Sequence, residues 1–224
     1  MSNTTTSSRA REQHHSTHGG LTAWQAIQKR LFDISGALLG LSMTWWLILI
    51  ACVLARLDTG KSGLFRQTRV GRDGKLFKVV KIRTMRDNPA VNTTVTSARD
   101  QRITPLGRFL RSTKIDELPQ LWNVLIGQMS FVGPRPDVPG YADRLSGEDR
   151  IILSIRPGIT GPATLRFRDE EELLAAQGDP EAYNREIIYP EKVHINRQYI
   201  EQYSFSKDVI YLWQTLAGRS RATD

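Results

Sequence analysis

From Ile34 to Ala55 the chain runs for 22 residues without a charged side chain. A helix of that length rises about 33 Å, enough to enter or cross a hydrocarbon core. A domain of 224 residues has little room to bury such a helix on every side. The segment starts too far from the N-terminus, and is too long, for the core of a secretory signal, and no small-residue cleavage pattern follows it. Both flanks are basic: Lys29 and Arg30 precede it, and Arg56, Lys61, Arg66, Arg69 and Arg72 follow. Basic residues favour the cytoplasmic side, so a span sends one flank outward and a re-entrant hairpin keeps both inside. Gly36, Gly40, Ser42 and Thr44 suit a break at depth. No proline enforces one, and Trp45-Trp46 occupies the middle. On these residues alone, span and hairpin both stay open.

The rest divides around this segment. Residues 1–20 are Ser, Thr, His, Arg and Gly with almost nothing apolar, and read as a disordered arm. His14, His15 and His18 belong to that solvated arm, with nothing near to give a metal a rigid geometry. Residues 21–58 form the membrane-associated helical unit, and 59–224 a folded domain. With 40% hydrophobic and 24% charged residues, the chain is not wholly disordered, and one cysteine, Cys52, excludes a disulfide framework or a cysteine-rich zinc site. Leu64-Phe65 and Leu76–Ile82 read as strands about a turn at Gly71-Arg72-Asp73-Gly74. Residues 87–100 read as a polar loop. Thr104 caps a helix over Pro105–Arg111, and Thr113 a second over Lys114–Gly127. Gly133-Pro134-Arg135-Pro136 and Arg156–Pro162 are rigid turns, followed by an acidic helix at 169–178 and helices near 190–202 and 206–217. No internal repeat is present.

Charge is concentrated. Arg56–Lys114 holds fifteen Lys or Arg against four Asp, a net +11 within a chain of +8. Such a block suits nucleic acid, anionic lipid or a phosphorylated substrate. It ends at adjacent carboxylates, Asp116 and Glu117, just after Arg108, Arg111 and Lys114. Acids at a helix start also complement its dipole. Two neighbours on a helix point about 100° apart, so one can take a metal while the other faces a substrate. Carboxylates with open positions suit Mg²⁺, and an ionised Asp is a nucleophile at phosphorus. Arg135, between two prolines, is presented from a stiff backbone; Arg156 precedes a similar turn. Both suit a phosphate or a structural role.

These pieces recur in a familiar order: Lys29-Arg30-Leu31-Phe32-Asp33, Phe65–Gly71, Lys81-Ile82-Arg83-Thr84-Met85, Thr104–Gly107, Ile115–Leu121, Ser130–Pro136 and Arg156–Gly161. From Lys29 to the C-terminus the sequence resembles the bacterial sugar transferases, small monotopic polyprenyl-phosphate phosphoglycosyl transferases. The resemblance implies an α+β fold, with a re-entrant N-terminal helix and a small sheet-and-helix catalytic domain on the cytoplasmic face of the inner membrane. It implies transfer of a sugar 1-phosphate from a UDP-sugar to undecaprenyl phosphate with release of UMP, the first membrane step of a surface glycan. Asp116 falls on the family's nucleophile, which forms a phosphosugar-enzyme intermediate, and Glu117 on its Mg²⁺-binding acid. Arg111 and Arg135 fall on phosphate-holding arginines, and Lys81 and Arg83 on the basic strand motif; Arg156 is counted with them as substrate-binding. Expected partners are the donor, the lipid acceptor and membrane phospholipids, without nucleic acid and with a homodimer allowed. Departures are Trp45-Trp46 in place of a Ser-Pro helix break, Gln128 in place of an acid, and Asn196 in place of an aspartate. A membrane-tethered nucleic-acid-binding protein or an inactive scaffold is the competing expectation. The carboxylate pair closing the basic block argues against the first, and the intact dyad against the second.

Overall fold

The computed structural model describes residues 20–87 and 100–218. Most of the arm expected at 1–20, and most of the loop expected at 87–100, lie outside the described residues.

Helix α1 spans Ala23–Thr59. It opens on a capping box, with Gln25 N–H donating to Thr22 Oγ1 (3.3 Å) and Thr22 N–H to Gln25 Oε1 (2.8 Å). It closes at Gly60, whose left-handed φ of 71° suits glycine. The helix is unbroken through Trp45-Trp46, where the re-entrant reading places a break. The reason is local. No proline interrupts the backbone ladder, and Ser42, Thr44 and the Trp46 indole donate to carbonyls three or four residues back, which satisfies them within the helix. Gly36 and Gly40 serve packing: a Cβ on Gly36 would stand 2.6 Å from the Phe131 ring, and one on Gly40 3.0 Å from Leu121.

Strands β1 (Leu64–Val70) and β2 (Leu76–Ile82) form the expected antiparallel hairpin, with Leu64 opposite Ile82 and Val70 opposite Leu76. Asp73 and Gly74 turn it with φ of 59° and 76°. Thr104 caps α2 (Pro105–Ser112) through Gly107 N–H (2.8 Å). The helix expected over Lys114–Gly127 is not continuous. Lys114 takes a left-handed φ of 58°, a single tight turn covers Ile115–Glu117, and α3 begins only at Gln120 and runs to Leu125. Thr113 does not cap it; its hydroxyl donates back to Phe109 O of α2 (2.8 Å). Pro119 has no N–H to carry a helix through.

Strand β3 (Ser130–Val132), just before the Gly133–Pro136 turn, pairs in parallel with β4 (Gly158–Thr160), which lies inside the stretch expected to be a turn at Arg156–Pro162. Three-residue strands carry no alternation to detect. Helices α4 (Pro162–Arg166), α5 (Glu170–Ala175) and α6 (Pro180–Tyr183) are short. A wider turn at Asn184–Ile188 leads into α7 (Tyr189–Glu201), and α8 spans Phe205–Leu216. The α+β class stands.

The core has three parts. Val70, Val132, Ile152, Val193, Tyr199 and Ile200 fill the centre. Ala37 meets Val79, Val124 and Met129 under the first half of α1. Ala51 and Ala55 meet Ile82 and Leu110 under the second. The same globular part therefore holds α1 at both ends, while only 11% of its most apolar window is buried.

The N-terminal end is fastened by polar groups. Lys29 Nζ donates to Asp208 Oδ2 of α8 at 2.5 Å, and Tyr199 and Tyr203 hydroxyls donate to the same carboxylate (2.5 and 3.2 Å). Arg30 donates to the last carbonyls of α3, Val124 O (2.7 Å) and Leu125 O (2.8 Å). Asp33 Oδ1 accepts from Ser130 Oγ and Phe131 N–H, both at 3.0 Å. Lys29 and Arg30, legible as a free basic flank, are internal fasteners. Removing one member of a buried pair leaves the other uncompensated, at about 3 kcal/mol or more. Asp208→Asn should lower the melting temperature of the detergent-solubilised protein by on the order of 5–10 °C. Asp87→Asn, which breaks an exposed pair with Lys61, should change it by about 1 °C or less.

Candidate active site

The left-handed Lys114 and the tight turn after it set the two adjacent acids in different surroundings. Asp116 is buried, 7% exposed, and its Oδ1 has no hydrogen-bond partner. Glu117 Oε1 accepts from Lys81 Nζ (3.0 Å) and from the Arg135 guanidinium (2.6 Å). Lys81 arrives on β2. Arg135 arrives on the Pro-Arg-Pro turn, which Val70 N–H fastens to β1 through Asp137 O (2.9 Å). Arg69 of β1 reinforces the turn by donating to Pro136 O (3.1 Å).

The electrostatics follow from these contacts. Burial pushes the Glu117 carboxyl up, but the charges and hydrogen bonds of Arg135 and Lys81 outweigh it and hold it well below the carboxylate range. Burial raises Asp116 to about 6; the neighbouring Glu117 charge adds to that, and Lys81, Arg111 and Lys114 oppose it. Burial lowers Lys81, against Glu117. Glu117 is thus a fixed, compensated anion. Asp116 is an ionised but poorly solvated one at neutral pH, the state suited to attack.

Among the described residues, no group of three or more His, Cys, Asp or Glu side chains is placed to hold a metal. Mg²⁺ needs less: it keeps waters and takes one or two carboxylates with substrate phosphates. The unpartnered Asp116 Oδ1 beside Glu117 fits that requirement.

Of the other expected site residues, Arg111 is near enough to act on Asp116, and its guanidinium is ion-paired with Glu171 of α5. Arg83 is not brought to the dyad. It donates to Ser62 O (2.9 Å), faces Asp87 and lies over the Phe65 ring. Arg156 is not brought there either: its Nε donates to Gly127 O (2.9 Å), behind the end of α3. Sequence reasoning missed a neighbouring layer. Asp137, raised to about 6 by burial, sits in the fields of Lys192, Arg69, Glu170 and Arg135. Lys192 Nζ contacts both oxygens of Glu170 (2.7 and 2.6 Å). Only Asp137, two residues after Arg135, carried a local signal.

Across residues 23–221 the chain matches the bacterial sugar transferase family, and it belongs to that family. A Bacillus subtilis (strain 168) protein, provisionally named an undecaprenyl-phosphate N-acetylgalactosaminyl 1-phosphate transferase, is 40% identical over 151 residues, covering 62% of this chain and 84% of the relative. The UDP-glucose:undecaprenyl-phosphate glucose-1-phosphate transferase of Caulobacter vibrioides is 41% identical over 146 residues, 62% of this chain and 54% of the relative. Exopolysaccharide production protein ExoY of Sinorhizobium fredii is 29% identical over 214 residues, 88% of each. The chain thus spans little more than half the length of the Caulobacter relative.

The Asp116 environment costs stability. Its unfolded carboxyl loses a proton near 3.8 and its folded one near about 6. Between those values the folded state keeps a proton that the unfolded state has released, so stability falls as pH rises and the penalty is complete above 6. Asp116→Asn removes it. The variant should be more stable by about 2–3 kcal/mol at pH 8 and equal to wild type near pH 4, read as melting temperature against pH.

Proposed function

We propose that this protein moves a sugar 1-phosphate from a UDP-sugar to undecaprenyl phosphate at the cytoplasmic face of the inner membrane, in surface-glycan synthesis. The observation that carries this is the split dyad: one buried carboxylate with a free oxygen, next to one clamped between a lysine and an arginine. Family membership and the names of the relatives agree with it.

The chemistry follows in two displacements. An Asp116 oxygen attacks the donor phosphorus that bears the sugar. The bond from that phosphorus to the bridging oxygen breaks, and UMP leaves with the electron pair. The phosphosugar is then held on Asp116 as an acyl phosphate. An oxygen of the lipid phosphate attacks the same phosphorus, Asp116 leaves as carboxylate, and a lipid diphosphate sugar results. Glu117 keeps Lys81 and Arg135 in place beside the reacting phosphates. Mg²⁺, held by Glu117 and the free Asp116 oxygen, would offset the charge of the diphosphate. Arg111 is placed to take a phosphate from the α2 side. Lys81, Arg111 and Arg135 have the position for substrate contact; Arg83 and Arg156 act by holding the scaffold. The identity of the sugar is not encoded in the dyad.

On the strength of the apolar helix we assign this site to the bilayer surface. Leu38, Leu39, Met43, Trp45, Leu49 and Val53 are exposed along α1. Both ends of α1 are packed on the catalytic domain, so we read residues 31–57 as held at the cytoplasmic side at both ends; unbroken, the helix lies along that leaflet rather than turning back within it. Both basic flanks then stay inside.

Two experiments test this. Purified protein with a panel of UDP-sugars should release UMP, and donor alone should add one phosphosugar to the peptide containing Asp116, seen by mass spectrometry. Asp116→Asn should lower turnover by about a thousandfold or more with no adduct, and chelator should abolish activity. Intersecting initial-rate lines without an adduct would mean direct transfer. Binding of nucleic acid without UMP release would favour the competing class. For topology, Ser8→Cys in a Cys52→Ser background should resist an impermeant maleimide applied to intact cells. Labelling there would mean that α1 spans.

A further inference from the structure

Two acids of α5 reach the cations around the dyad. Glu171 is paired with Arg111, and Glu170 with Lys192 while lying in the field of Arg135. Lys81 and Arg135 are already engaged by Glu117. Arg111 is the cation beside Asp116 whose ion-pair partner is not part of the dyad. The groups facing it are Glu171 from α5, Met85 Sδ at 4.0 Å, and the fields of Asp116 and Asp100. A diphosphate approaching Asp116 brings more negative charge to this place. It meets repulsion from Glu171 for as long as Glu171 holds Arg111.

The contact is built to be given up. Glu171 is 46% exposed at its side chain, against 23% for Arg111. It sits on a helix of six residues in which Leu174 is the buried member. A pair this open contributes little, and a guanidinium binds phosphate oxygens in the same forked geometry as a carboxylate.

We infer that Glu171 is a place-holder, occupying on Arg111 the position that a donor phosphate takes, so that donor binding and the Glu171–Arg111 pair exclude each other. This makes α5 a brake on nucleotide binding, one that keeps the arginine oriented while the site is empty. The inference rests on the transfer reading above for the identity of the ligand.

The test uses the full chain in detergent with Asp116→Asn, so that no turnover occurs, and UMP as the probe, with binding followed by calorimetry. Glu171→Gln should tighten UMP binding by about threefold. Adding Arg111→Gln should weaken UMP binding and make the Glu171 exchange silent. Melting curves check folding, and Glu171→Ala, scored the same way, stands in if the Gln variant does not fold. In the active chain the same Glu171→Gln should lower the donor KM and sharpen inhibition by UMP, with kcat unchanged. Unchanged or weaker UMP binding in Glu171→Gln overturns the inference. So does equal tightening with and without Arg111, which would be a general field effect, and so does a chain that binds no UMP in any variant. If wild type releases UMP from no UDP-sugar yet the UMP contrast holds, the transfer reading fails and the place-holder contact stands.

Discussion

Lys29 and Asp208 lie 179 residues apart in the chain and meet in the interior at 2.5 Å. Two charges withdrawn from water are tolerated only with close geometry and further hydrogen bonds. Both are present, because Tyr199 and Tyr203 occupy the rest of the carboxylate. This contact decides how α1 sits. Once Lys29 is on α8, Arg30 meets the end of α3, Asp33 meets the start of β3, and Gly36 comes up against Phe131. The apolar stretch beyond them is thereby aimed by polar side chains, while its own surface stays uncovered.

The site rests on a similar use of unequal surroundings. Asp116 and Glu117 are sequence neighbours of the same charge, expected on one regular helix about 100° apart. The left-handed Lys114 ends that regularity. One carboxylate falls between Lys81 and Arg135 and is stabilised as an anion; the other is buried with an oxygen unmatched. The first is a compensated charge, the second an uncompensated one. The aspartate is destabilised where it stands, and Glu117, Lys81 and Arg135 keep it there.

Much of this was legible in the residues. The hairpin was announced by an Asp-Gly turn between apolar runs, α2 by Thr104-Pro105, and the long helix by its lack of charge. The dyad and Arg135 each had a plain structural use as well, and stood out through their place: adjacent carboxylates closing a basic block, and an arginine framed by prolines within an ordered series of motifs. What stayed hidden depends on distance in the chain. Nothing around Lys29 points to Asp208, nor around Arg111 to Glu171, so the fasteners looked like flanking charges and the acidic helix carried no sign of its partners. Arg83 and Arg156 share the residue type of the site but not its place; sequence spacing cannot separate an arginine that holds a carbonyl from one that holds a phosphate. The break after Lys114 was missed because a lysine carries no sign of positive φ.

The separation of Lys29 from Asp208 also orders events in time. The ribosome makes α1 first and α8 last, and at about 5–20 residues per second the interval is roughly 10–35 seconds. During that interval Lys29 has no carboxylate to meet, and the Tyr199 and Tyr203 hydroxyls that complete the Asp208 hydrogen bonds do not yet exist. Contacts of α1 with β2, α2 and α3 can form before then, but the fastening of its N-terminal end waits for α8. Helix α8 thus acts as the bolt that locks the N-terminal end of a helix made long before it.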